Sequence, residues 1–183
     1  MARTDPPVKT GVTFEDYLEF EKTSEVKHEF LEGQLFMMAG TSDRHNRIAG
    51  RIYAALLAAE TSPCRTYFAD MKLKVSEDKG YYPDVLVVCD DADDAPYFKQ
   101  KPCLIIEVLS DSTEAIDRGE KLHNYRKFES LQAYVLVNQN EQRAEVFRRD
   151  GDVWVYEERE NEDVLELPCA GLELPVSDLY TGV

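Results

Sequence analysis

Cys103-Leu104-Ile105-Ile106-Glu107-Val108-Leu109-Ser110 is an apolar run with one carboxylate inside it. Its length and branched residues predict a strand covered on both faces, as in a sheet packed between other layers. Alternation puts Glu107 on the face shared by Ile105 and Leu109, while Val108 turns away and offers only its backbone carbonyl. An unpaired carboxylate in such a place is costly, so Glu107 needs a cation, a donor network or a raised pKa. A second apolar run, Tyr82-Pro83-Asp84-Val85-Leu86-Val87-Val88, carries a second acid. Asp84 and Glu107 have the look of two halves of one metal site.

Working outward, Ser110, Asp111 and Ser112 offer helix caps, and Leu122, Tyr125 and Phe128 recur every three residues within a helix predicted over 113–129. A strand follows over 133–137. Strand, helix, strand implies a right-handed crossover and a parallel pair in a mixed sheet. Upstream, Thr13 caps a short amphipathic helix over 14–21, and Glu32-Gly33 joins two strands of a hairpin over 28–38. A helix over 43–60 places His45, Ala49, Ile52 and Leu56 on one face, with Arg44, Arg47 and Arg51 as a separate basic stripe. A strand is expected over 66–75, and Asp150-Gly151-Asp152 turns a hairpin between 143–149 and 153–158. The tail 172–176 reads as an edge strand or a packed loop, and Asp90-Asp91-Ala92-Asp93-Asp94 as a solvated acidic loop. The fold class is α/β: a mixed sheet flanked by helices, with added N- and C-terminal hairpins.

With 183 residues, 43% of them hydrophobic, the chain fits one domain over 12–183 behind a flexible segment over 1–11. No stretch approaches the roughly 20 apolar residues of a membrane helix, and the first residues lack the apolar core of a signal peptide, so the expected location is the cytoplasm. Cys64, Cys89, Cys103 and Cys169 are far apart in sequence and lack Cys-x-x-Cys spacing, which predicts separate reduced thiols, Cys89 and Cys103 acting as small buried hydrophobes. The net charge, 21 − 36 = −15, counts against tight nonspecific binding of nucleic acid but leaves room for a local basic surface.

Two carboxylates, the Val108 carbonyl and several waters make a magnesium shell, with Mn²⁺ as an alternative, since these ions take oxygen ligands. Such an ion activates water and offsets charge on a phosphate. A cation is still needed to hold the nucleophile or the phosphoryl oxygens, and Lys121 is the candidate: with Tyr125 and Phe128 it falls on the inward stripe of the helix after Glu107. The competing reading of Lys121 is an i,i+4 surface salt bridge with Asp117.

Pro83-Asp84, then 107–113, then Asp117, Lys121 and Tyr125, together with 28–35 and the helix near His45, resemble a restriction-endonuclease family within the PD-(D/E)XK nuclease superfamily. The likeness covers roughly 12–178. It implies a restriction-endonuclease-like fold, Asp84 and Glu107 as ligands of Mg²⁺, and DNA as substrate, with a homodimer expected by analogy with enzymes that cut both strands. In the superfamily's usual pattern a lysine stands two residues after the second acid. Leu109 holds that position here, so the ammonium must come from Lys121 on the following helix. Glu29 matches an N-terminal acid of the family and is a further ligand or water acceptor, unless it is a hairpin residue facing solvent. His45 is a substrate or carboxylate contact, or else a packed structural histidine. Arg44 and Arg47 are phosphate contacts, or else part of a solvated helix face.

Two other functions compete. A noncatalytic interaction module of the same fold suits the net charge and Leu109 but gives two acids in apolar strands no task. A glycosidase using Asp84 and Glu107 as acid and base leaves Lys121 without a role.

Overall fold

The computed structural model describes residues 6–183. In chain order the elements are β1 (Lys9–Thr10), α1 (Phe14–Glu21), β2 (His28–Leu31), β3 (Gln34–Met37), α2 (Asp43–Ala59), β4 (Arg65–Phe68), β5 (Lys72–Ser76), β6 (Lys79–Tyr81) and β7 (Val85–Val88). There follow β8 (Phe98–Lys99), β9 (Pro102–Leu109), α3 (Glu114–Ile116), a π-helical turn (Asp117–Lys121) and α4 (Leu122–Tyr125). The chain closes with β10 (Ala133–Asn138), β11 (Arg143–Asp150), β12 (Val153–Glu160), β13 (Val164–Leu167), β14 (Leu172–Pro175) and a 3₁₀ turn (Val176–Tyr180).

The central sheet has the order β12-β11-β10-β9-β7-β4. Its β9 and β10 run parallel, in register from Leu104 opposite Ala133 to Leu109 opposite Asn138, and the intervening helical segment makes the crossover predicted from sequence. β9 is buried along its whole length, and its alternation sorts the two faces. Leu104, Ile106 and Val108 pack with Ile48, Ile52 and Leu56 of α2. Ile105 and Leu109 pack on the other face with Tyr125, Tyr134 and Leu136. Leu104 is fully buried at the centre of the first layer. Leu104→Ala should therefore cost about 3–5 kcal/mol in chemical denaturation, from lost burial plus the cavity left behind.

A second sheet, β1-β3-β2-β6-β5-β8, carries the N-terminal hairpin. Its tight turn is built from Glu32 and Gly33, both at positive φ (49° and 76°), the conformation a two-residue hairpin demands. α1 is fixed by a reciprocal Thr13–Asp16 capping box, and it delivers Glu21, whose carboxylate accepts from the Tyr82 hydroxyl at 2.6 Å and contacts His28 Nδ1 at 2.9 Å. That link secures the chain just ahead of Asp84.

Several expectations need revision. The strand expected over 66–75 is two strands in different sheets, β4 and β5, separated at Ala69, which sits at φ 52°. The helix expected to reach residue 129 ends at Tyr125, and its middle is a π turn. Asp84 lies immediately before β7 rather than inside it. The tail strand β14 pairs with β13, a strand not anticipated from sequence. Asp93 in the acidic loop is buried, accepting from the Gln100 and Lys101 amides at 2.7 and 2.8 Å. The expectation of a flexible segment over 1–11 falls in part on residues 1–5, which lie outside the described residues, while Lys9 and Thr10 pair with Leu35 and Gln34. The cysteines, expected as separate thiols, are bonded as Cys64–Cys89 and Cys103–Cys169, because strands distant in sequence end side by side. Among the described residues no helix is long and apolar enough to cross a membrane.

Candidate active site

The register of β7 on β9 sets Val85 opposite Ile106, so Asp84 falls opposite Glu107 at the mouth of the antiparallel pair. Asp84 Oδ2 accepts from the Val108 amide at 2.8 Å, and the Asp84 amide donates to Glu107 Oε2 at 3.3 Å. The two acids thus hold each other's strand in place. Asp84 is the more open, with 21% of its side chain exposed, while Glu107 is buried.

Lys121 reaches Glu107 from the π turn, its Nζ donating to Glu107 Oε1 at 2.9 Å. It also lies 2.9 Å from Asp117 Oδ1 and 3.6 Å from Glu29 Oε1. The Tyr125 hydroxyl donates to Glu107 Oε1 at 3.1 Å. A π turn widens the helix locally, and such insertions recur where a side chain must be re-aimed at a site. Here Asp117 and Lys121, the first and last residues of the turn, are both buried against β9. The surface salt bridge that sequence allowed for this pair is a buried one.

Glu29 is buried on β2 and joins the same cluster, so it does not face solvent. His45, in the first turn of α2, places Nε2 3.2 Å from Asp84 Oδ2, bringing the start of that helix to the acids. Burial disfavours a charge on His45, but the Asp84 carboxylate and the Val108 carbonyl outweigh it and hold its pKa above the ordinary value. Arg44 donates to the Gln139 carbonyl, and Arg47 turns toward Gly182 near the end of the chain. Neither lines the cavity that the acids border.

That cavity holds about 210 Å³. Among the described residues lining it, four carboxylates (Glu29, Asp84, Glu107 and Asp117) meet one ammonium (Lys121) and one imidazole (His45). With all acids ionised the cluster carries −4 + 1 = −3, or −2 with His45 protonated. Burial pushes Glu107 well above the ordinary carboxylate range, against the pull of Lys121 and with the added push of Asp117 and Asp84. Burial also raises Asp117, opposed by Lys121. Burial disfavours the charge on Lys121, yet Asp117, Glu107 and Glu29 more than reverse this and keep it well above its usual value. The site therefore holds a firm cation and an excess of carboxylate oxygen. Hard oxygen donors with uncompensated negative charge are what a divalent ion such as Mg²⁺ or Mn²⁺ requires. Asp84, Glu107 and the Val108 carbonyl, which line one cavity, are the groups that could hold such an ion.

Sequence reasoning undervalued Asp117 as a member of the site. Its signal was present, since it shares the inward stripe with Lys121 and Tyr125, but i,i+4 acid–base spacing is commoner on solvated helix faces.

The profile of a family described as "Uma2: Putative restriction endonuclease" matches residues 14–177. Two proteins of Synechocystis sp. (strain ATCC 27184 / PCC 6803 / Kazusa) are similar along most of their length. "Uncharacterized protein slr1290" is 35% identical over 174 residues, covering 92% of this chain and 91% of that protein. "Uncharacterized protein sll1609" is 33% identical over 146 residues, covering 77% and 82%. Among solved structures, a protein of Anabaena variabilis ATCC 29413 described as "a putative nuclease belonging to DUF820" superposes with a TM-score of 0.74 at 18% identity, covering 93% of this chain and 98% of that one. At that identity the likeness establishes the fold, which is the restriction-endonuclease-like arrangement anticipated from sequence. With the profile spanning nearly the whole chain and a relative above 30% identity over most of both proteins, this chain belongs to the Uma2 family.

Proposed function

We propose that this protein is an endonuclease that hydrolyses DNA phosphodiester bonds with the aid of Mg²⁺ or Mn²⁺, held by Asp84, Glu107 and the Val108 carbonyl. The observation that carries the reading is three carboxylates gathered around one buried lysine, with the Asp84 carboxylate lining the same cavity, an arrangement short of positive charge. DNA is the first-choice substrate because the family is described as restriction endonucleases. Cutting both strands calls for two such sites, so a homodimer belongs to the same proposal.

In the reaction, water adds to phosphorus and one P–O ester bond breaks. A divalent ion, when bound, lowers the pKa of its water and offsets charge on the phosphate. The protein's part is positional. Lys121 carries three N–H donors, one of them given to Glu107 Oε1, with Asp117 Oδ1 as its ion-pair partner at 2.9 Å, and its remaining capacity serves the attacking water or a phosphoryl oxygen. It would take the part of the superfamily's usual lysine, because Leu109, which holds that sequence position here, is spent on the core. Tyr125 fixes the Glu107 carboxylate, and His45 together with the Val108 amide fixes that of Asp84.

A supercoiled-plasmid nicking assay tests this. Nicking with Mg²⁺ or Mn²⁺ that ceases in excess EDTA and returns on adding metal is the expected result. Undiminished nicking in EDTA would overturn the metal-dependent reading. The rival reading, an interaction module of the same fold, draws on the net charge of −15 and on Glu107 already having donors at both oxygens. It gains the lead if neither ion supports cleavage of any DNA form.

A further inference from the structure

A second constellation lies apart from the carboxylate cavity. Cys64 sits between α2 and β4, Cys89 directly after β7, Cys103 second in β9, and Cys169 in the turn between β13 and β14. These four segments bring their sulfurs to one place. The Sγ atoms of Cys89, Cys103 and Cys169 all lie within 4.8 Å of one another, and Cys64 is joined to this group through its bond to Cys89. Cys64 Sγ also lies 3.6 Å from the Cys169 carbonyl oxygen. All four line one cleft, with the Asp90–Lys101 ion pair at its side.

Two disulfides that staple separate points have no need of a common centre. One tetrahedral ion does: with Zn–S bonds of about 2.3 Å, its four sulfurs stand roughly 3.8 Å apart. The backbone supports the same conclusion. Cys169 holds φ 71°, in the left-handed region, where a residue with a β-carbon costs roughly 1–2 kcal/mol. Glycine would relieve that cost, but only cysteine sets a sulfur beside those of Cys89 and Cys103.

We propose that in the reduced protein Cys64, Cys89, Cys103 and Cys169 form a closed, structural Zn²⁺ site, and that the two disulfides are its oxidised, metal-free form. Closed four-sulfur shells are structural rather than catalytic, since no coordination position stays open. The site would tie the end of α2, two strands of the central sheet and the β13–β14 turn together at one ion. Each disulfide takes two electrons from one molecule of a water-soluble phosphine, which leaves as phosphine oxide with oxygen from water. The four thiols then release four protons to bind Zn²⁺ as thiolates.

The full chain, reduced with the phosphine under argon, is titrated with Co²⁺ and separately with Zn²⁺, followed by gel filtration and metal analysis. The expected result is one Zn²⁺ per chain, four thiols shielded from a thiol reagent until a chelator is added, and Co²⁺ spectra with thiolate charge-transfer and tetrahedral bands. The Asp84→Ala, Glu107→Ala double variant should keep those bands, which separates this site from the carboxylate one. Cys103→Ser and Cys169→Ser should each weaken Co²⁺ binding beyond the roughly 10–100-fold typical of losses outside the ligand shell. A reduced wild-type chain whose four thiols react freely with Zn²⁺ present, and which gives no charge-transfer band with Co²⁺, would overturn the proposal whatever the variants do. So would disulfides that resist the phosphine in the folded protein.

Discussion

Lys121→Met is expected to lower metal-dependent nicking by at least about 100-fold, the scale on which loss of one preorganised electrostatic partner slows a reaction. It should also destabilise the protein. Lys121 is the only ammonium among the described residues lining the cavity, and its removal leaves Glu107, Asp117 and Glu29 buried together. Breaking a buried pair by deleting one partner typically costs about 3–5 kcal/mol. For a chain of this size that is a fall in melting temperature of about 10 °C. The two effects separate in the double variant Lys121→Met, Asp117→Asn. Removing one of the stranded carboxylates should recover part of the stability and none of the activity. Recovery of activity in that variant would show that Lys121 serves folding alone.

Glu107→Gln is the second large effect. The amide keeps the shape of the side chain and an acceptor for Lys121 and Tyr125, and it removes the charge on which ion binding depends. Nicking should fall below detection while the protein still melts cooperatively. The sharper readout is stabilisation by metal. At about 100 times its dissociation constant, a ligand that binds only the folded state adds about 2.7 kcal/mol. Mn²⁺ should therefore raise the wild-type melting temperature by about 5–10 °C and leave that of Glu107→Gln unmoved. An equal Mn²⁺ shift in both proteins would mean that the ion binds elsewhere.

The strand β9 was legible because an apolar run containing one acid has few interpretations, and both of its faces are indeed covered. The parallel β9–β10 pair followed from chirality, and the inward stripe of the next helix brought Lys121 to Glu107. Other features depended on contacts that no local pattern records. Periodicity cannot show that Ala69 breaks one apparent strand into members of two sheets. Nor does it expose a π turn, or show that the Asp117–Lys121 pair spanning it is buried. Glu29 had two equivalent readings because alternation sets a period and not which face is covered; only the second sheet's packing decides it. The cysteines misled most. Their separations of 25 and 66 residues suggested independence, whereas β7, β9 and the β13–β14 turn end at one point.

The central claim is that Asp84 and Glu107 share one divalent ion, and calorimetric titration of Mn²⁺ into the metal-free wild type and into the Asp84→Ala, Glu107→Ala double variant measures it directly. Both proteins are used with the four cysteines oxidised, so that the sulfur cluster takes no part. The account predicts a saturable heat with one equivalent bound by the wild type, and none by the variant. Equal binding by both proteins, or no binding by the wild type with DNA present, would contradict it.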